Sequence, residues 1–356
     1  MTSPGCASDP GLDDVSDRTT ETERAVHGTE SVAELRAFLS AYASEQLGSP
    51  IRKVRFRAGR IDAVWGVELD DGRAVVIKGH RAPTGADGID STDGIPAVDA
   101  IAAARDAQLV LSAAGFPCPE PLSGPDDRNG RVLTAETLIA GTVPDGRDPA
   151  VRRLLAAGLA RHIDLLRARP DLLRRAGAGP SWCRYQAGPW PVPHDSIVNF
   201  DVTPAGYDWL DGYAGRASGQ ILTGRAGAEV VVGHADWYAG NTAVQEGVLV
   251  GTFDWELVAD TEAVIAGFAA ACYAASSTSG GGLSSPAEAA LFLQDYEAAR
   301  GAGLNARERR TASAATAWIV AFNARWEVAM PNGTSEEGPN LSLAREHGQD
   351  YLDLAW

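Results

Sequence analysis

Residues 231–256, VVGHADWYAGNTAVQEGVLVGTFDWE, constrain this chain more than any other stretch. One apolar run ends at His234-Ala235-Asp236. A polar loop carries Asn241. A second apolar run, Val248 to Phe253, ends at Asp254. Short apolar runs bounded by turn residues read as buried strands. Two such strands, each ending at an aspartate, would bring two carboxylates and one amide together at strand ends.

The segments on either side divide the chain by character. Residues 1–28 are polar, acidic and aperiodic, and read as a disordered tail. Ser31-x-x-Glu34 fits a capping box at the start of a helix whose apolar face is Val32, Leu35, Leu39 and Tyr42. Residues 51–57, 63–69 and 73–78 read as three antiparallel strands, the last two flanking the tight-turn signal Asp70-Asp71-Gly72. A Gly/Pro/Asp loop over 80–96 leads to a helix at about 97–114. Pro117, Pro119 and Pro121 then force extended chain, and 131–139 adds one or two strands. From Asp148-Pro149, an N-cap with proline at the first turn, the pattern is helical: Val151, Leu154, Leu155, Leu159, Ile163 and Leu166 form a stripe. Helices are expected again after residue 261. The organisation is a disordered tail (1–28), a small β-rich lobe (29–140) and a larger helical lobe (141–356).

Composition excludes several function classes. With 31 basic and 47 acidic residues the formal charge is −16, which argues against a nucleic-acid partner, whose binding rests on Lys/Arg contacts to phosphate. The longest apolar run, Ala263 to Ala275, is too short and too rich in Ala and Gly to span a bilayer, and the first residues carry no signal-peptide pattern, so a cytoplasmic protein is expected. The four cysteines form no CxxC pair and give no support to a zinc site or redox dithiol. Only two of the basic residues, Lys53 and Lys78, are lysines. In so arginine-rich a chain, a lysine marks a position where arginine would not serve.

The residue types at 231–256 suit phosphoryl transfer. An aspartate can orient a substrate hydroxyl and accept its proton, while an asparagine oxygen and a second carboxylate can hold Mg²⁺, which takes hard oxygen ligands. Lys78, closing Val75-Val76-Ile77, stands where a kinase lysine on the third strand would meet nucleotide phosphates.

On these residues the sequence resembles the aminoglycoside phosphotransferase family of protein-kinase-like small-molecule kinases. The family's HGDxxxxN loop appears as His234-Ala235-Asp236-Trp237-Tyr238-Ala239-Gly240-Asn241, and its IDxE segment as Phe253-Asp254-Trp255-Glu256. The resemblance extends more weakly over about residues 50–275. It implies an α+β, two-lobed protein-kinase-like fold that uses ATP and Mg²⁺. Asp236 would be the catalytic carboxylate, Asn241 and Asp254 the metal ligands, and Lys78 the phosphate-binding lysine. The chain after Glu136 would be the hinge that meets adenine, with Glu136 and Leu138 at the nucleotide. The acceptor would be a small molecule, an antibiotic being favoured and a cationic one being among the candidates. A metabolic acceptor, or a kinase-like binding protein without catalysis, stands as the alternative.

The sequence departs from the family in three places. Ala235 replaces a glycine, the loop Ala58-Gly59-Arg60-Ile61-Asp62 has one glycine, and the helix at 97–114 lacks the glutamate that pairs with the lysine. Asp106 on that helix is the expected substitute partner for Lys78. The aromatic residues Trp182, Tyr185, Trp190, Tyr207, Trp209 and Tyr213 fit either an acceptor pocket or helix packing. From Asp201 onward there are 20 acidic and eight basic residues, which suits a polycationic acceptor and equally suits solvated helix faces. Oligomeric state has no signature in the sequence.

Overall fold

The computed structural model describes residues 18–59, 61–81, 97–128, 130–188, 190–194, 197–276, 282–330 and 338–356. The expected tail at 1–17 and most of the loop at 80–96 fall outside these residues.

The N-terminal part is one antiparallel sheet. Its strands are β1 (Ile51–Ala58), β2 (Ala63–Leu69), β3 (Ala74–His80), β4 (Pro121–Asp127) and β5 (Val132–Thr137), in the order β1-β2-β3-β5-β4. The β2–β3 turn closes where Asp70-Asp71-Gly72 directs it, and Gly72 takes a φ of 89° that favours glycine. Alternation sorts the sheet faces. Trp65, Val67, Val75, Ile77, Leu133 and Ala135 face a core shared with Leu35, Leu39 and Tyr42 of α2 (Val32–Leu47). The intervening residues of β3, including Lys78, face the opposite way, towards the cleft. Ser31 caps α2 by accepting a hydrogen bond from the Glu34 N–H at 3.2 Å.

One part of the sequence reading needs correction. Residues 21–27, expected to be disordered, form helix α1 (Glu21–His27) with a complete capping box between Thr20 and Glu23. Glu23 is buried and binds Arg57 Nε at 2.7 Å and Trp65 Nε1 at 2.6 Å, so a short helix with little periodicity is held by long-range polar contacts. The proline-rich stretch is extended as expected, and it also contributes β4 to the sheet. β4 lies at the sheet edge, where a residue without an N–H costs no ladder bond.

The remaining helices are α3 (Ala97–Ala113), α4 (Pro149–Arg167), α5 (Pro170–Ala176), α6 (Asp208–Arg225), α7 (Glu262–Cys272), α8 (Pro286–Arg300), α9 (Ala306–Ala329) and α10 (Pro339–Leu352). Asp148 caps α4, and the expected apolar stripe on α4 is buried except for Leu154, which is half-buried. The second, larger core includes the Ala-rich run: Gly267 of α7 approaches α9 so closely that an added Cβ would lie 2.3 Å from the Ala312 carbonyl oxygen. That run is therefore a tight helix crossing, and among the described residues no helix is long and apolar enough to cross a membrane. Ala103, Ala107 and Leu111 of α3 also belong to this larger core, which ties α3 to the C-terminal helices.

Two short ladders lie within the helical part. β6 (Val230–His234) pairs with β9 (Leu257–Thr261), and β7 (Thr242–Gln245) with β8 (Val248–Thr252). The loops between them carry Asp236, Asn241 and Asp254 to the cleft under the five-stranded sheet.

Candidate active site

The loop after β6 is held by His234 and by two indoles. The His234 ring accepts a hydrogen bond from the Asp236 N–H at 3.1 Å through Nδ1, and donates one through Nε2 to the Phe253 carbonyl at 3.0 Å. This pair of bonds selects the neutral Nε2–H tautomer. Burial pushes the ring pKa down to about 4, so His234 acts as a neutral brace between the two acidic loops. Trp182 Nε1 donates to the Ala235 carbonyl at 3.1 Å, and Trp237 Nε1 to the Leu155 carbonyl of α4 at 3.0 Å. The only described non-glycine residues with positive φ are Glu246 and Asp254, so alanine at 235 costs nothing in backbone strain.

Asn241 donates its side-chain N–H groups to Asp236, at 2.9 Å to Oδ2 and 3.1 Å to the carbonyl oxygen. The Asn241 Oδ1 is left as an acceptor. Its backbone carbonyl accepts from the Phe253 N–H at 2.8 Å, which fixes the Asp254 loop beside it. Asp254 has a φ of 57°, a conformation that aspartate tolerates better than most residues, and its side chain is 60% exposed to the cleft. Burial, then the charge of Asp254, raises the Asp236 carboxyl to about 7. The Asp254 carboxyl is raised as well: although its side chain is open to the cleft, the surrounding protein reduces its hydration, with Lys78 acting against the shift and the carboxylates of Asp62 and Glu136 adding to it.

From the sheet, Lys78 Nζ lies 3.2 Å from Glu136 Oε1 and 4.0 Å from Asp254 Oδ1. Burial disfavours the Lys78 charge, but Glu136 and Asp254 outweigh it and hold the ammonium above its ordinary pKa. Glu136 also accepts from Gln108 Nε2 at 3.1 Å. The expected partnership of Asp106 with Lys78 is not formed. Asp106 binds Arg175 Nη1 at 2.7 Å, because its side chain leaves α3 towards α5. Glu136 is the partner that the sequence reading missed. It is the one acidic residue in RVLTAETLI, and strand alternation puts it on the Lys78 face, but only the β3–β5 register brings the two together.

The Leu138 N–H donates to the Ala74 carbonyl at 3.1 Å, so that donor is committed to the sheet. Gly59 takes a φ of 108°, and a Cβ there would meet the Asp62 carbonyl oxygen, so the chain between β1 and β2 needs this glycine. Asp62 is tied to β3 through His80 Nδ1 at 2.8 Å and the Arg81 N–H at 3.0 Å. Tyr185, Trp190 and Tyr213 are buried core residues, whereas Trp182 is half-buried against the Asp236 loop.

The oxygens of Asn241 and Asp254 are the hard donors that a divalent cation takes, and the amide orientation of Asn241 points its remaining acceptor away from Asp236. Among the described residues no group of three His, Cys, Asp or Glu side chains is arranged to hold a metal by itself, so a cation here would need further oxygens from water or a bound ligand.

No family profile and no curated protein matches the sequence. Solved structures do match the fold. An amicoumacin kinase in complex with AMP-PNP and Ca²⁺ is 11% identical, with a TM-score of 0.58, over 90% of this chain and 95% of that one. The ethanolamine kinase of Plasmodium vivax is 11% identical, with a TM-score of 0.53, over 96% of each chain. An aminoglycoside 2′-phosphotransferase in its GDP complex is 14% identical, with a TM-score of 0.53, over 89% of this chain and 94% of that one. The fold is thus the two-lobed α+β fold of aminoglycoside phosphotransferases and related small-molecule kinases.

Proposed function

We propose that this protein is an ATP- and Mg²⁺-dependent phosphotransferase that acts on a hydroxyl of a small molecule. The observation that carries this reading is the meeting of the two halves of the chain: Lys78 of the sheet lies 4.0 Å from Asp254, whose loop is bonded to Asn241, which is bonded to Asp236. A lysine, a proton acceptor and two hard oxygen ligands on facing walls of one cleft are the parts that phosphoryl transfer needs.

Asp236 orients the acceptor hydroxyl and takes its proton as the oxygen bonds to the γ-phosphorus. The bond from that phosphorus to the bridging oxygen breaks, and ADP leaves. Asn241 holds the Asp236 carboxylate in place through Nδ2 and offers Oδ1 to the cation. Asp254 offers its carboxylate to the same cation. When bound, Mg²⁺ supplies charge neutralisation on the phosphates. Lys78 binds the phosphates from the sheet side, and the chain after Glu136 meets the base, with Leu138 contributing through atoms other than its committed N–H.

An antibiotic is the favoured acceptor, which would make this a resistance or self-protection enzyme of the cytoplasm. Its support is the fold shared with an amicoumacin kinase and an aminoglycoside phosphotransferase, together with the acidic C-terminal region, which attracts cations. A metabolic amino alcohol or sugar is the second reading, favoured by the comparable likeness to an ethanolamine kinase. ATP consumption measured against a panel of hydroxylated antibiotics, amino alcohols and sugars tests both. Turnover with one class selects between them. Background rates with every acceptor would favour a kinase-like binding protein without catalysis.

A further inference from the structure

Lys78 has its acidic partner on a neighbouring strand. In the β3–β5 ladder Val76 pairs with Glu136 and Lys78 with Thr134, so Lys78 and Glu136 are diagonal neighbours on the cleft face. The ladder register, not the position of α3, sets the backbone separation of the two residues. Helix α3 contributes a neutral amide instead. An ionised carboxylate can only accept, so Gln108 presents its NH₂ to Glu136, at 3.1 Å. Both residues are buried, Glu136 at 8% exposure and Gln108 at 6%. Among the described residues the one other carboxylate within 4.0 Å of the ammonium is Asp254. Two carboxylates therefore compete for one lysine, at 3.2 and 4.0 Å, and one of them is the proposed cation ligand.

We propose that Glu136, oriented by Gln108, is a positioning residue that keeps the Lys78 ammonium off Asp254 and so leaves the Asp254 carboxylate available to a divalent cation. The inference rests on the reading of Lys78 and Asp254 as the nucleotide and cation residues. Without the Glu136 charge, Lys78 turns to Asp254. A cation must then displace an ammonium to bind, so nucleotide binding comes to require more Mg²⁺.

The test is calorimetric titration of AMP-PNP at stepped Mg²⁺ concentrations into wild type, Glu136→Gln, Glu136→Asp and Gln108→Leu, with thermal melting as a check on folding. In Glu136→Gln the Mg²⁺ concentration for half-maximal AMP-PNP binding should rise at least about tenfold, since one partner of a buried, hydrogen-bonded charge pair has been removed. At saturating Mg²⁺ the AMP-PNP affinity should come back towards wild type, which general damage to the lobe would not allow. Glu136→Asp should recover part of the shift, and Gln108→Leu should give a smaller shift in the same direction. A wild-type Mg²⁺ midpoint in Glu136→Gln overturns the proposal. If that variant does not fold, an unshifted midpoint in Gln108→Leu overturns it instead. Wild-type protein that binds no AMP-PNP at any Mg²⁺ concentration would defeat the nucleotide reading itself, and this proposal with it.

Discussion

At the residue scale, the site crowds carboxylates together around one lysine and braces them with the neutral side chains of His234, Asn241 and Gln108. Asp236 shows the effect. Its carboxyl is raised to about 7, whereas an unfolded aspartate titrates near 3.9, so between those values the native state binds the extra proton. The stability linked to this group is fully present below the unfolded value and is lost as pH rises through about 7. Asp236→Asn keeps the shape and removes the ionisation. The cation-free variant should therefore gain stability over wild type at pH 8, and gain less at pH 5. Thermal unfolding at the two pH values checks this, and an equal difference at both contradicts it. Lys78→Arg is the second residue-scale prediction. A planar guanidinium does not replace a compact ammonium wedged between Glu136 and Asp254, so nucleotide affinity or turnover should fall by at least about tenfold with the fold retained. Unchanged steady-state kinetics would remove Lys78 from the site.

At the element scale, the parts of the fold legible in the sequence are those fixed by neighbours in the chain. The capping residues Ser31 and Asp148 start α2 and α4 where expected, and Asp70-Asp71-Gly72 turns the β2–β3 hairpin. What was not legible depends on distant partners. The prolines mark extended chain before β5, but only the edge position of β4 shows that this stretch joins the sheet, and α1 looks like part of a polar tail until its Glu23 is seen bonded to Arg57 and Trp65. The same logic applies within the site. Asp236, Asn241 and Asp254 share one stretch with a recognisable spacing, whereas the Lys78–Glu136 contact is a product of strand register. If α1 is integral to the sheet, Glu23→Ala should destabilise the protein by about 3–5 kcal/mol, the range for breaking a buried ion pair and stranding its partner. Chemical denaturation measures this, and a loss below about 1 kcal/mol would make α1 dispensable.

At the scale of the whole molecule, two cores are linked by the chain after β5 and by α3, which belongs to the larger core and packs on β4, and Lys78 of the sheet meets Asp254 of the helical part. The sheet contributes Lys78, and the two short ladders of the helical part contribute Asp236, Asn241 and Asp254. Neither part holds a complete phosphoryl-transfer site, so the function proposed here belongs to their assembly. The most direct test separates the two carboxylates: Mg²⁺–ATP binding by calorimetry beside coupled turnover, in wild type, Asp236→Asn and Asp254→Ala. Asp236→Asn should bind Mg²⁺–ATP close to normally and lose turnover by about 10²–10⁴-fold, the usual contribution of a general base. Asp254→Ala should lose the metal–nucleotide complex itself. Asp236→Asn retaining more than about a tenth of wild-type turnover, well short of that range, would contradict the account.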